Sequence, residues 1–339
     1  MTKELDALDL VEAAYDPGLD DQAWLKGLAG TAAAAFGVGG VGLAVRFDAA
    51  DPVRPQIHGV AFEGLRVEDF LPLIGGVSTT EEGQDAFAAI HAGPRVSTMR
   101  TTLGDALDRS PLYRALIEPM GFHDVAYINA GDLGGAACTV ALPLPRANAG
   151  AFATSVRGTL QRVEAHLTAA VRLRARGPAA NAGDEEAVID TRGRVVHAEG
   201  RAKTPGTRAA LRQAALCALR ARQEVRGDSA DDALAMWRTL VTCRWSLVDR
   251  FESDGRRYLV ARANEPPTAR RGELTDRQYQ VASMAALGHS NKMIGYALGL
   301  SAATVSEHLS RACQRLGVRS RAEMARRVLE LLSRVAPSK

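Results

Sequence analysis

Hydrogen-bonding and apolar side chains alternate at helical spacing between Ser301 and Leu316. The apolar positions recur every three or four residues and predict a buried stripe. They are Val305, Leu309, Ala312 and Leu316. The positions off this stripe are Ser306, Glu307, Ser310, Arg311 and Arg315. Serine and arginine can donate to bases or phosphates, and a glutamate can accept from cytosine N4, so this face predicts contact with double-stranded DNA.

Four short helices position this face. Each apolar-periodic run follows a residue that favours a helix N-cap, and each of the first three ends near a glycine. The four N-cap residues are Thr275, Ser290, Ser301 and Ser320. Gly299 and Leu300 form a tight turn between the second and third predicted helices, which predicts a helix-turn-helix with the third helix held towards solvent. Such a helix fits the major groove of B-DNA.

Residues 274 to about 330 resemble the LuxR/NarL-type helix-turn-helix family. The resemblance rests on L274-T275-x-R277, G288-x-S290-N291-K292-x-I294, L298-G299-L300-S301-x-x-T304-V305-x-x-H308 and L316-G317-V318-x-S320-R321. It implies transcriptional regulation by dimers on paired half-sites, with RNA polymerase as a further partner. It also implies that Lys292 and Thr304 contact phosphate, and that the helix from Ala302 enters the groove.

Three positions depart from the pattern of that family. Ser306 stands where a basic residue is usual, and Gln278 replaces the usual glutamate of the first helix. Glu307 places a negative charge close to the DNA. These changes leave the fold prediction intact but favour weak DNA affinity that depends on dimerisation. They keep open an alternative function, a protein-interaction regulator with a weak or masked DNA-binding tail.

The charge distribution separates the tail from the rest of the chain. The net charge of the 339 residues is +3. From Leu274 onward ten basic residues face four acidic ones, a net charge of +6, whereas the remainder has 32 against 35, a net charge of −3. A basic module on a mildly acidic body is expected if only the tail approaches a polyanion.

No enzymatic, metal or cofactor motif is found in the sequence. There is no G-x-S-x-G, no phosphate-binding glycine loop, no C-x-x-C pair and no H-E-x-x-H. An enzyme fused to a DNA-binding tail is therefore the least favoured alternative, and no catalytic residue, metal or cofactor is predicted. The sequence also has no secretory signal and no apolar run of about 18 residues, so we expect a cytoplasmic location without membrane contact.

The body in front of the tail alternates helical and strand-like patterns. The segments 41–49 and 56–64 predict one hairpin, and residues 123–144 predict another. By the order of its elements, residues 1–176 resemble a GAF-type sensory or dimerisation domain, and 184–264 resemble a PAS-type domain. We therefore predict a multidomain chain in which two α+β domains with antiparallel sheets precede an all-α four-helix domain at 274–335. A basic, proline-containing linker at 265–273 connects them.

A long helix closes the first predicted domain and carries a narrow apolar seam. Val156, Leu160, Val163 and Leu167 are spaced four, three and four residues apart. The seam either packs on the sheet of its own domain or pairs with its copy in a homodimer. Trp237 and Trp245 either line a ligand pocket or belong to the core. A small-molecule or protein signal is expected, but the sequence indicates no ligand-binding residue.

Overall fold

The computed structural model of the protein describes most of the chain. The described residues are 7–16, 19–36, 40–49, 56–66, 68, 80–111, 113–131, 135–146, 157–175, 185–223, 245–253, 256–263 and 274–333.

The first sheet of the body has five antiparallel strands in the order β2-β1-β5-β4-β3. The strands are β1 Gly42–Asp48, β2 Gln56–Glu63, β3 Val96–Thr98, β4 Phe122–Gly131 and β5 Ala136–Pro145. Both predicted hairpins are confirmed, since β1 pairs with β2 and β4 pairs with β5. The pairing of β1 with β5 then joins the two hairpins into one sheet.

Among the described residues of the first part of the chain, five α-helices accompany this sheet. They are α1 Ala7–Ala14, α2 Asp21–Phe36, α3 Glu81–Ala92, α4 Met99–Leu103 and α5 Ala106–Arg109. A serine followed by a proline in the first turn predicts an α-helix from Ser110 to Gly121. The structure has a π-helical turn at Tyr113–Ile117 and a 3₁₀ turn at Glu118–Met120 in its place. Pro119 explains the break, since it has no N–H to continue an α-helix.

Helix α6, Arg157–Ala175, is buried around most of its circumference. It packs on β3, β4 and β5 of the first sheet and on α1. Leu160, Val163 and Leu167 of the predicted seam are at most 1% exposed and belong to the core of the body. They leave no apolar surface for a partner, so the structure corrects the dimerisation role given to these three residues. Val156 lies outside the described residues.

The second sheet of the body has four antiparallel strands in the order β7-β6-β9-β8. They are β6 Glu185–Asp190, β7 Val195–Ala198, β8 Trp245–Ser253 and β9 Arg256–Ala263. The long connection between β7 and β8 contains a 3₁₀ turn at Gly200–Lys203 and helix α7, Pro205–Gln223. The sequence predicts a helical region from roughly Thr207 to Val241, and the part of it beyond Gln223 lies outside the described residues.

The two sheets share one apolar cluster. Leu173 at the end of α6, Ala187 on β6 and Trp245 on β8 all belong to the cluster that fills the first sheet. Trp245 is 5% exposed, so the core alternative holds for this side chain, while Trp237 lies outside the described residues. The body is therefore an α+β region with antiparallel sheets, which confirms the predicted fold class of this part of the chain.

The tail consists of four helices around a core of its own. They are α8 Asp276–Ala286, α9 Asn291–Leu298, α10 Ala302–Arg315 and α11 Arg321–Ser333. Val281, Ile294, Val305 and Met324 are fully buried and bring the four helices together. None of the described helices in the chain combines the length and the apolar composition needed to cross a membrane.

Candidate nucleic-acid interface and its junction with the body

The tail helices begin at the four predicted N-caps. The hydroxyl of Thr275 accepts from the backbone N–H of Gln278, and the Gln278 side chain accepts from the N–H of Thr275 in return. This capping box shows that Gln278 serves as a capping residue in the place of the usual glutamate. Ser290, Ser301 and Ser320 accept from the backbone N–H three residues further on.

A tight turn sets the angle between α9 and α10. Gly299 adopts a left-handed conformation with φ of +67°, and its N–H bonds to the carbonyl of Gly295. The N–H of Leu300 bonds to the same carbonyl at 2.9 Å. A Cβ on Gly295 would lie 2.6 Å from the Leu300 carbonyl oxygen, so a larger residue there would push α9 and the turn apart.

Helix α10 presents its polar face to solvent in the full-length protein. Val305, Leu309 and Ala312 of the predicted stripe are buried, and Leu316 packs against them half-buried. The predicted recognition residues are all exposed, namely Ser306, Glu307, Ser310, Arg311 and Arg315. The structure thus brings these five side chains together on one accessible helix face.

The remaining predicted DNA contacts lie at the N-termini of α9 and α10. Lys292 is exposed in the first turn of α9. The hydroxyls of Ser301 and Thr304 are 2.8 Å apart at the start of α10. Free N–H groups and the helix dipole favour anions at such ends, which suits a phosphate of the DNA backbone.

Glu307 and His308 on α10 have surroundings that the sequence does not indicate. Glu307 forms an ion pair with Arg311 one turn later, and both remain more than half exposed. This pair partly neutralises the carboxylate that would otherwise face the DNA. His308 is half-buried, and its Nδ1 is enclosed without a hydrogen-bond partner.

Comparison with known proteins agrees with this geometry. The family of bacterial regulatory proteins of the luxR type, also called GerE, matches residues 272–328. The tail is a LuxR-family domain. No curated protein matches the chain. Because domains of this family bind DNA in transcription regulators, the chain carries the DNA-binding domain of a transcription regulator.

The LuxR-family domain is docked on the body through α6, which the sequence did not predict. Helix α9 packs against α6. The carboxylate of Glu164 on α6 lies 3.4 Å from Nδ1 of His289, which immediately precedes the N-cap of α9. Both side chains are at most 3% exposed. A buried carboxylate is costly without partners, and here Thr168 also donates to it at 2.8 Å.

His166 forms the second contact of this junction. Its ring is fully buried and lies edge-on between Tyr15, which directly follows α1, and Tyr296 of α9. Each tyrosine hydroxyl is 3.4 Å from one of the two ring nitrogens. A neutral imidazole has one donor and one acceptor nitrogen, so it can satisfy one hydroxyl as acceptor and the other as donor.

Arg95 forms the third contact, next to the end of α8. Its Nε donates to the carbonyl of Leu287 at 2.8 Å, and its Nη1 donates to the carbonyl of Asn129 at 3.3 Å. A cation at a helix C-terminus is favourable, because the last carbonyls and the helix dipole carry negative charge. Arg95 therefore ties the LuxR-family domain to β4 of the body.

Burial shifts the pKa values at the junction in opposite directions. Desolvation raises the pKa of Glu164 to about 7, against a smaller lowering by Arg95, Thr168 and Arg172. Desolvation lowers the pKa of His166 and of His289 to about 3, and Arg95 and Arg321 lower that of His289 further. Both histidines are therefore neutral at pH 7, whereas burial favours the protonated form of Glu164 well above its ordinary pKa.

Sequence reasoning missed this junction because its residues are far apart along the chain. Glu164 and His289 are separated by the whole second sheet, and no local spacing relates them. One signal was present, since a glutamate and a histidine occur at 164 and 166 within the apolar helix that closes the body. Polar residues at buried positions usually have a specific partner.

The second sheet carries a groove lined by arginine side chains. It has a volume of about 440 Å³ and lies between the β6–β7 turn and α7. Arg192, Arg194, Arg208 and Arg212 line it, and all four are exposed. Trp245 does not line this groove.

Proposed function

We propose that the protein is a dimeric, sequence-specific transcription regulator that reads double-stranded DNA with α10. In this proposal the body receives a small-molecule or protein signal or mediates dimerisation, through its GAF-like region, 1–176, and its PAS-like region, 184–264. RNA polymerase is a further proposed partner. The exposed polar face of α10 in the full-length protein is the single observation that supports this function most.

Charge supports the same function. The tail has a net charge of +6 and the rest of the chain has −3. Electrostatic attraction would therefore orient the LuxR-family domain towards DNA while the body stays away from it. Lys292, Thr304 and Ser301 are proposed to contact phosphates, and the α10 residues from Ser306 to Arg315 are proposed to reach base edges.

A selection from random duplex DNA tests this function on the full-length protein at one stated salt concentration. We expect a two-fold symmetric site, because two copies of α10 would read two half-sites. The matched variants are Arg315→Ala on α10 and Arg109→Ala on the body, which remove the same charge. We expect Arg315→Ala to alter or weaken the enriched site and Arg109→Ala to reproduce it. Failure of the wild-type protein to enrich any site would contradict the function.

The second candidate is a protein-interaction regulator with weak intrinsic DNA affinity. Its support is the Glu307–Arg311 ion pair, which occupies one of the guanidinium groups on the recognition face. In this case the selection would enrich no site, although the tail would remain folded. Circular dichroism of the same sample shows whether the helices are intact.

A further inference from the structure

Helix α6 contacts every major part of the described structure. It packs on the first sheet through β3, β4 and β5, on the second sheet through β8, and on the LuxR-family domain through α9. A change in either sheet that moves α6 would therefore act directly on the position of the tail. The surface where α6 meets the tail is the polar junction of Arg95, Glu164, His166, His289 and Tyr296.

We propose that these five junction residues are positioning residues for DNA binding. They hold the LuxR-family domain on α6 with its recognition face outward, and thereby fix the distance and angle between the two DNA-binding domains of a dimer. The consequence is selectivity for the spacing between half-sites. The inference rests on the proposed function, because only a dimer that binds DNA has two half-sites to space.

The polar character of the junction supports a single docked arrangement. Burying polar groups costs free energy unless their hydrogen bonds are made. A shift of the tail would leave several of these groups unpaired and would therefore be unfavourable. The docked arrangement places the Glu164 carboxylate 3.4 Å from His289 Nδ1, and His166 Nε2 3.4 Å from the Tyr296 hydroxyl. An apolar contact would instead tolerate sliding, because hydrophobic attraction has no direction.

The apolar core of the tail does not include its two junction residues. His289 and Tyr296 lie outside the apolar cluster that unites α8 to α11. On the tail side, Arg321 of α11 holds the His289 carbonyl and the Asn291 side chain independently of the body. Substitutions at His289 or Tyr296 can therefore release the domain without unfolding it.

The junction also lies beside the proposed DNA surface. Tyr296 follows Lys292 by four residues, which places the two side chains one turn apart on the same side of α9. Lys292 is nevertheless exposed in the docked protein. The edge of the body must therefore lie near the path of a DNA backbone that contacts Lys292, which couples docking to the orientation of the DNA.

Hydrogen–deuterium exchange at one fixed pH tests whether these residues hold the tail. His289→Glu puts a second carboxylate opposite Glu164 and should release the domain. We expect amide exchange to increase at least about fivefold in peptides that cover 160–171 and 287–298. The matched control His197→Glu makes the same change on the exposed side of β7 and should leave those peptides unchanged. Tyr296→Phe removes one hydroxyl only, and should give a smaller increase in the same peptides.

DNA binding then tests the positioning role. One base pair inserted between the selected half-sites rotates them by roughly a tenth of a helical turn. We expect this insertion to weaken binding of the wild-type protein and of His197→Glu at least about tenfold. For His289→Glu we expect the insertion to weaken binding less than about threefold, because released domains can reorient to fit the new spacing of the half-sites. A merely structural role for His289 would lower affinity for both spacings equally.

Three results would overturn the inference. They are unchanged exchange in His289→Glu, the same spacing profile in this variant as in the wild-type protein, and binding of wild-type protein to a single half-site. A failure of the proposed function looks different, because the wild-type protein would then enrich no site at all. Unchanged circular dichroism of the His289→Glu variant shows that its spacing profile belongs to a folded tail.

Discussion

Helices α6 and α10 carry a glutamate and a histidine in similar sequence settings but in opposite environments. On α10, Glu307 is exposed and paired with Arg311. On α6, Glu164 is buried and faces His289 of another part of the chain. The first arrangement leaves the helix free to meet a partner from solution, whereas the second binds two parts of one chain together. The surroundings of a charged residue, rather than its type, therefore decide which of these roles it has.

Core packing of α6 should give the largest effect on stability. Leu167→Ala removes a side chain that is fully buried between α6 and the sheet. We expect the free energy of unfolding to fall by about 2–5 kcal/mol, measured by urea denaturation. The control is Leu329→Ala on α11, where the side chain is 45% exposed and the change should stay within about 0.5 kcal/mol. Equal losses in the two variants would contradict the burial of the seam.

The pH dependence of Glu164 should give the next largest effect. Its pKa is raised from 4.5 to about 7, so the folded state binds more protons than the unfolded state in this window. The carboxylate therefore destabilises the fold increasingly as pH rises from about 4.5 to 7. Glu164→Gln cannot ionise, and its stability relative to wild type should rise over this range by up to roughly 3 kcal/mol.

His166 and His289 have lowered pKa values, and they act in the opposite direction by favouring the fold as pH rises towards 6.5. The contribution of His166 is shared by both proteins and cancels in the difference between variant and wild type. The contribution of His289 is part of that difference, because His289 lies 3.4 Å from Glu164. Glu307→Gln is the matched control on α10. A stability difference for Glu164→Gln that is independent of pH would show that Glu164 is not buried in the protonated form.

Removal of the proposed phosphate contact should have a moderate effect that shows only on DNA. Lys292→Ala should weaken binding similarly for all sequences and flatten the slope of log affinity against log salt by about one. Lys26→Ala removes an exposed lysine from α2 of the body and should leave the slope unchanged. A slope that is equal in both variants would show that Lys292 makes no phosphate contact.

Loss of the exposed ion pair on α10 should have the smallest effect on stability. Glu307→Ala should change the free energy of unfolding by less than about 0.5 kcal/mol, because both charges are mostly solvated. Its expected effect lies in recognition, where the preference at one position of the selected site should relax. A preference profile identical to that of the wild-type protein would exclude base reading by Glu307.

The sequence predicts those features of the fold that depend on near neighbours. The caps at Thr275, Ser290 and Ser301 and the turn at Gly299 are recognisable because each requires particular residues within three or four positions. The hairpin of β4 and β5 is equally local. Pro119, which interrupts the helical run after Ser110, is a local signal of the same kind.

The features that depend on distant contacts could not be derived. The pairing of β1 with β5 joins strands separated by most of the first sheet. The contact of Glu164 with His289 joins the body to the tail. The seam of α6 has the spacing of a coiled coil and the burial of a core helix, and the spacing alone does not distinguish the two. The exposed face of α10 could be predicted, because the spacing of the apolar residues within one helix shows which side of it is buried.

The most direct measurement compares one selected duplex with two proteins at one salt concentration, the full-length chain and the fragment 266–339, which contains the complete core of the tail. If the docked domain presents its recognition face as described, the full-length protein should bind at least as tightly as the fragment. Its affinity should also depend on the exposed residues of α10. Tight binding by the fragment together with no binding by the full-length chain would contradict the account, because the body would then mask the surface that the structure shows as open.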